Sequence, residues 1–229
     1  MKRVVINQSN YLPWKGYFDL MHDADVFVFL DNVQFTKNDW RNRNRIKTPH
    51  GPQWLSVPVG RSLDRLISGV TLADPQWQAR HWKTLTQVYG RAPHFARYRE
   101  LFEHVYLERR WSRLSELNQW TIRRIAELLG INVTFADAAT FAAGGTGQER
   151  VLNLLAALEA DVYVSGPSAQ AYLDPPSFAA RGVQIHWKDY SGYPEYPQLH
   201  PPFEHAVSIV DLLFNTGPDA PYYVWGWRQ

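Results

Sequence analysis

Short apolar runs cut off by polar loops recur at both ends of the chain, while helical spacing fills its middle. Arg3 to Ile6 reads as a short buried strand. Ser9 to Lys15 is a loop, in which Pro13 should keep Leu12 extended. Gly16 to His22 carries Phe18, Leu20 and Met21 at helical spacing. Val26 to Leu30 places five apolar residues in a row between Asp25 and Asp31, a pattern that suits a central strand buried on both faces. Strand, loop, helix and strand make one βαβ unit, and the crossover makes its strands parallel.

Gln53 to Val59 and Ile67 to Leu72 read as further strands, the first placed at an edge or ended by Pro58. The period then changes. Asp74-Pro75 is a helix start, and helical spacing follows to Tyr89, where Gly90 closes it. Pro93 to Leu107 and Ser112 to Leu129 form two more helices, the last stopped by Gly130. Alternation resumes with a strand at Asn132 to Phe135. Thr146 and Glu149 have the spacing of a capping box that opens a helix to about Ala160. Val162 to Val164 and Val183 to Trp187 are strands, with short helices ending near Leu173 and spanning Asp174 to Arg181 between them. A polar aromatic loop runs from Asp189 to Pro202, a last helix spans Ser208 to Phe214, and the tail to Gln229 docks on the surface or frays. The expected architecture is one α/β domain over 1–229. It has a mostly parallel Rossmann-like sheet, helices on both faces and a helical insertion over about 74–130.

Composition narrows the class. At 45% hydrophobic residues a packed core is feasible, and a formal charge of only +2 argues against a dedicated nucleic-acid partner. With no cysteine, a disulfide framework, a thiolate metal site and a cysteine nucleophile all drop out. No metal is expected, since the eight histidines show neither HExxH nor HxH spacing. The amino-terminal residues lack the apolar core of a signal peptide, and no run approaches the ~20 apolar residues of a membrane span, so the chain reads as cytoplasmic.

The candidate chemistry lies in four polar segments that this assignment places after strand ends, where parallel sheets bind ligands. Gln8, Tyr11, Trp14 and Lys15 follow the first strand. Asp31, at the end of the second, could act as a general base, hold a ribose hydroxyl or simply pair with an arginine. Behind it, Lys37, Arg41, Arg43, Arg45 and Lys47 give five cations within eleven residues against one acid, Asp39, with Gln34, Asn38, Trp40, Asn42 and Asn44 interleaved. The alternating arginines would share one side of an extended segment and could grip a phosphate or carboxylate. Ser165-Gly166-Pro167-Ser168 could present backbone N–H groups and hydroxyls to an anion, with Ser165 as a possible nucleophile and Ser168 as a helix cap. It is neither a P-loop nor a GxSxG elbow. The loop after Asp189, with Gln198 beyond it, could join them.

The stretch NYLPWKGYFDL, followed by ADVFVFLDNVQFTKNDWRNRNRIKT and QWLSVPV, resembles the WbqC-like family. SGPSAQAYLD and the spaced Tyr196, Gln198, Phe203, Ser208, Asp211 and Asn215 match it too. The resemblance implies work on sugar precursors in bacterial surface-polysaccharide (O-antigen) or natural-product clusters. It marks Gln8, Tyr11, Trp14, Lys15, Gly16, Asp31, Gln34, Lys37, Trp40, Arg41, Asn42 and Lys47. The function expected is transfer of an acyl or aminoacyl group to an amine of a nucleotide-linked sugar or similar small molecule. The donor would be a phosphopantetheine thioester or coenzyme A, no cofactor would be tightly bound, and an acyl carrier protein is a candidate partner. Asp31, Lys15 and Ser165 are the catalytic candidates, and Gln8, Tyr11, Trp14, Gln34, Lys37, Trp40, Arg41, Asn42, Arg43, Lys47, Ser168 and Gln198 the binding set. Two alternatives stand beside it. Pro13-Trp14-Lys15-Gly16-Tyr17 is similar to the corresponding loop of HxGH nucleotidylyltransferases but lacks both histidines, and no D-x-D for a metal-dependent glycosyltransferase lies in a loop. The third reading is a non-catalytic binding or assembly protein.

Overall fold

The computed structural model describes residues 1–62, 65–72, 74 and 76–228. Leu63, Asp64, Ala73, Pro75 and Gln229 lie outside the described residues, and with them the proline half of the expected helix start at Asp74-Pro75 and the last residue of the tail. The main sheet has five strands, β1 (Arg3–Asn7), β2 (Val26–Phe29), β5 (Thr134–Asp137), β6 (Val162–Ser165) and β7 (Gln184–Trp187). They lie in the spatial order β5-β2-β1-β6-β7, every pair parallel. This is the Rossmann arrangement. The chain leaves β1 to one side for β2 and β5, then returns to the other side for β6 and β7, which opens a crevice beyond the carboxyl ends of β1 and β6.

Strand residues alternate between two cores, as the pleat requires. Val5, Phe27 and Phe29 face one core with α1 (Lys15–His22), α4 (Leu114–Leu128) and α7 (Ile209–Thr216). Val4, Ile6, Val26 and Val28 face the other, with α5 (Gly147–Ala157) and Phe178 of α6 (Pro175–Ala179). The central strands are buried on both sides, which is why they read as unbroken apolar runs. The helices α2 (Gln76–Tyr89) and α3 (Phe95–Glu103), the latter continued by a π-helical turn over His104–Glu108, stand between the strands together with α4 and share the first core. Among the described residues no helix is long and apolar enough to cross a membrane.

Several expectations need correction. The cationic stretch is not one loop: Arg43–Thr48 forms β3, which pairs antiparallel with β4 (Gly51–Ser56) in a hairpin outside the main sheet. Its residues are too polar to announce a strand, and cross-strand backbone pairing supplies what burial does not. Ile67 to Leu72 holds a 3-10 turn over Ile67–Gly69 rather than a strand. Leu12 is not extended but stands at φ +43°, a left-handed conformation held by Asn44, whose Nδ2 donates to the Leu12 carbonyl at 2.8 Å and the Tyr11 carbonyl at 3.3 Å. Thr146 makes no capping bond through its side chain. Gly147 turns away at φ +53°, and the Glu149 side chain lies against Gly145. Asp74 does accept from the Gln76 amide at 2.8 Å, and Ser208 caps α7 by accepting from Val210 at 3.3 Å.

The tail is docked by charge. Asp19, fully buried on α1, receives Lys188 Nζ at 2.7 Å, Arg228 at 2.7 and 3.0 Å and the Tyr193 hydroxyl at 2.5 Å. One carboxylate thus clamps α1, the segment after β7 and the tail. Removing it takes the ion pair from Arg228 and leaves Lys188 with Asp23 alone, so Asp19→Ala should lower unfolding free energy by about 3 kcal/mol in urea titrations. A loss below about 1 kcal/mol would show that the clamp is dispensable.

Candidate functional site

The crevice is a cavity of about 470 Å³. Its floor is Ile6 and Asn7 of β1 and Tyr163, Val164 and Ser165 of β6. Its walls include Asn10, Pro13, Trp14, Asn44, Arg45, Ser168, Tyr172 and Tyr190, with Trp40 at the rim. The wall is therefore amide, hydroxyl and aromatic, with one guanidinium. Among the described residues that line it there is no carboxylate, imidazole or ammonium.

Rossmann geometry would seat a pyrophosphate at the start of α1. Here that seat is filled. The Trp14 indole folds back over Gly16, where an added Cβ would stand 2.2 Å from Trp14 Cζ2, and the ring meets Tyr190 edge-on at 5.1 Å. The lack of a side chain at residue 16 is what lets Trp14 form the cavity wall. Gly16→Ala should displace the indole and cost about 1–3 kcal/mol, seen as a lower melting temperature and a shifted tryptophan emission. Unchanged emission would mean the ring does not depend on Gly16.

Of the catalytic and binding candidates chosen from the sequence, the structure brings Trp14, Trp40, Ser165 and Ser168 to the cavity. Ser165 stands beside the Tyr163 phenol, whose pKa burial pushes up to about 12 against the pull of the Ser165 hydroxyl, and no base faces that hydroxyl from the described wall. Lys15 turns away behind Trp14. Its ammonium is enclosed without a hydrogen-bond partner, 4.7 Å from the centroid of Tyr193 and 5.4 Å from that of Tyr196, and burial lowers its pKa to about 8 against the pull of Asp19 and Asp211.

Asp31 does not reach the cavity. Its carboxylate is buried and accepts from the Ser9 amide at 2.9 Å, Ser115 Oγ at 2.5 Å and Gln119 Nε2 at 3.0 Å. It positions the loop that carries Asn10 rather than meeting a substrate. Gln8 stands beside that loop with its Oε1 unpaired, and its carbonyl accepts from Tyr17. Arg41 pairs with Asp39 at 2.8 Å, and Arg43 donates to the Asn38 carbonyl and lies 4.2 Å over the Trp54 ring. Lys47 is buried, Lys37 is exposed on the preceding turn, Gln34 is exposed where the chain bridges Leu66, and Asn42 donates to the Val57 carbonyl at 3.0 Å. Gln198 donates to Asp211 at 2.8 Å and to the Glu204 carbonyl at 2.9 Å, which braces the loop before α7.

An aromatic in the cavity loop can serve the scaffold alone, as Tyr11 does. Its buried hydroxyl bonds Tyr106 at 2.5 Å and His81 Nδ1 at 2.8 Å. This ties the cavity loop to α2 and the turn after α3. Burial lowers the His81 pKa from 6.5 to about 4. The unfolded chain binds that proton near pH 6.5 and the folded one only near pH 4, so stability falls as pH drops between them, by about 2 kcal/mol at pH 5. Urea midpoints at pH 7 and pH 5 should show this decline, and His81→Gln should remove it.

The cavity residues that sequence reasoning left out of the binding set are Asn7, Asn10, Asn44, Arg45, Tyr163, Tyr172 and Tyr190. The alternation of Arg43, Arg45 and Lys47 with Asn44 and Ile46 was the available signal. It places Arg45 and Asn44 on opposite faces of a strand, yet the hairpin twist and its lie against Pro13 bring both to the cavity.

A family model, the WbqC-like protein family, matches residues 8–223. The chain belongs to the WbqC-like protein family. It is also 44% identical over 233 residues, the whole of both chains, to the uncharacterized protein Rv1507c of Mycobacterium tuberculosis (strain ATCC 25618 / H37Rv). Apart from Ile6 and Asn7 on the floor, the residues that line the cavity, its hairpin rim and the helices that brace them fall inside the matched span of the WbqC-like family.

Proposed function

We propose that this WbqC-like protein is a transferase that moves an acyl or aminoacyl group from a thioester to an amine of a nucleotide-linked sugar or similar small molecule. Coenzyme A or the phosphopantetheine arm of an acyl carrier protein is the donor. The observation that carries this reading is the cavity wall, rich in hydrogen-bond donors and aromatic faces and without an acid or a general base among its described residues. Aminolysis of a thioester fits such a wall. The amine nitrogen bonds the carbonyl carbon, the C–S bond breaks, and the amine's proton ends on the departing thiolate. The chemistry needs positioning and donors for the developing oxyanion more than a side-chain base. Ser165 Oγ and the side-chain amides of Asn7 and Asn10 are the donors at the floor and wall. This assigns Ser165 as a donor, not a nucleophile, and Asp31 as a positioning residue.

The test is turnover. Purified protein is incubated with acyl-coenzyme A or acylated carrier protein and an amino-sugar nucleotide, with free thiol measured by colour and the amide by mass spectrometry. Ser165→Ala should lower turnover about 10²-fold with little change in KM. Tight binding of the sugar nucleotide without thiol release from any donor would replace the transferase with a binding or assembly protein.

A further inference from the structure

We propose that Arg45, Trp40 and Tyr172 form the seat of a nucleoside phosphate at the cavity mouth, with the base against the aromatic faces and the phosphate on the guanidinium. The proposal rests on reading this cavity as the substrate site, not on acyl transfer.

The five cations of the hairpin region are separated by their partners. Arg41 is neutralised by Asp39, Arg43 is spent on Asn38 and Trp54, Lys47 is buried and Lys37 lies on the exposed turn. Arg45 alone of the five lines the cavity. Its Nε, like those of Arg41 and Arg43, is shielded from solvent without a hydrogen-bond partner, and its guanidinium lies 5.9 Å from the Trp54 ring centroid; unlike Arg41, it has no carboxylate within ion-pair distance among the described residues. In the same wall Asn10 Oδ1 is buried and equally unpaired. A positive fork and an acceptor left open in one cavity call for a ligand that supplies an anion and a donor.

The aromatic half is built in layers. Trp40 lines the cavity yet keeps 43% of its surface exposed. Trp54 backs it, ring centroids 5.5 Å apart and planes tilted by 38°, and the Arg43 guanidinium covers Trp54 at 4.2 Å. Trp40 is thus held as a platform with surface to spare. Tyr172, after β6, lines the same cavity and is 71% exposed. Large aromatics left open at a cavity mouth, beside an unpaired arginine, suit a flat ring attached to a phosphate, since every base offers a π-face. Two sources share that chemistry: the diphosphate nucleotide of an activated sugar and the adenosine phosphate of coenzyme A.

Calorimetric titration with uridine diphosphate, adenosine diphosphate, inorganic pyrophosphate, uridine and coenzyme A tests the seat. A nucleoside diphosphate should bind at least tenfold more tightly than pyrophosphate or uridine alone. Arg45→Gln should weaken it about tenfold or more, Trp40→Ala about tenfold, and Arg99→Gln, on the exposed face of α3 and away from the cavity lining, less than twofold. Arg45→Lys should recover part of the loss. Loss confined to coenzyme A assigns the seat to the donor, and loss confined to uridine or adenosine diphosphate assigns it to the sugar nucleotide. Equal affinity for pyrophosphate and the nucleoside diphosphates, or an Arg45→Gln variant of unchanged melting temperature that binds within twofold of the parent, would overturn the proposal. Arginine-dependent nucleotide binding with no thiol release would leave the seat standing and remove only the transferase reading.

Discussion

A buried carboxylate must find its donors inside the protein, and the loops at the ligand end of this sheet are arranged around three of them. Asp31 draws the Ser9 amide of the first loop onto Ser115 and Gln119 of α4. Asp19 gathers Tyr193, Lys188 and Arg228 onto α1. Asp211, its pKa raised by burial, collects the hydroxyls of Tyr89 and Tyr196 and the amide of Gln198 onto α7. Each acid joins segments far apart in the chain. The loops there have little regular structure of their own, so these acids do for them what a hydrogen-bond ladder does for a strand.

Seen this way, the helices between the hairpin and β5 are more than a cover. Ser115, Asn118 and Gln119 make a polar row on a helix whose other inward residues, Thr121 apart, are the apolar Leu114, Leu117, Ile122, Ile125 and Ala126. Asn118 donates to the Arg41 carbonyl at 2.8 Å, so the same row that satisfies Asp31 also fixes the start of the hairpin. Tyr89 of α2 closes the arrangement from the other side. Its hydroxyl accepts from the Lys47 amide at 2.9 Å while donating to Asp211.

What could be read from the sequence followed burial. β1 and β2 are apolar because both faces are covered, and the β–α alternation fixed the fold class and the end of the sheet where a ligand would sit. β3 escaped because its residues alternate charge with amide, and only its partner strand makes it a strand. Asp31 was legible as special but not as structural. An acid at a strand end looks the same whether it faces substrate or helix, and its donors lie 84 and 88 residues away in sequence. Arg45 was visible only as one of five like charges, and what distinguishes it is that the other four are engaged, buried or turned out.

The same sorting explains the character of the cavity. The acids nearest to it are consumed in bracing its walls, and a carboxylate that already accepts three hydrogen bonds has no reason to reach a ligand. What is left to face the cavity is the neutral and cationic remainder: amides, hydroxyls, rings and one arginine. A wall of that kind favours an anion over a cation and a positioned electrophile over a proton abstraction. The polar stretch after β2 therefore shapes the cavity less through its number of charges than through how few of them remain free once the scaffold has been satisfied.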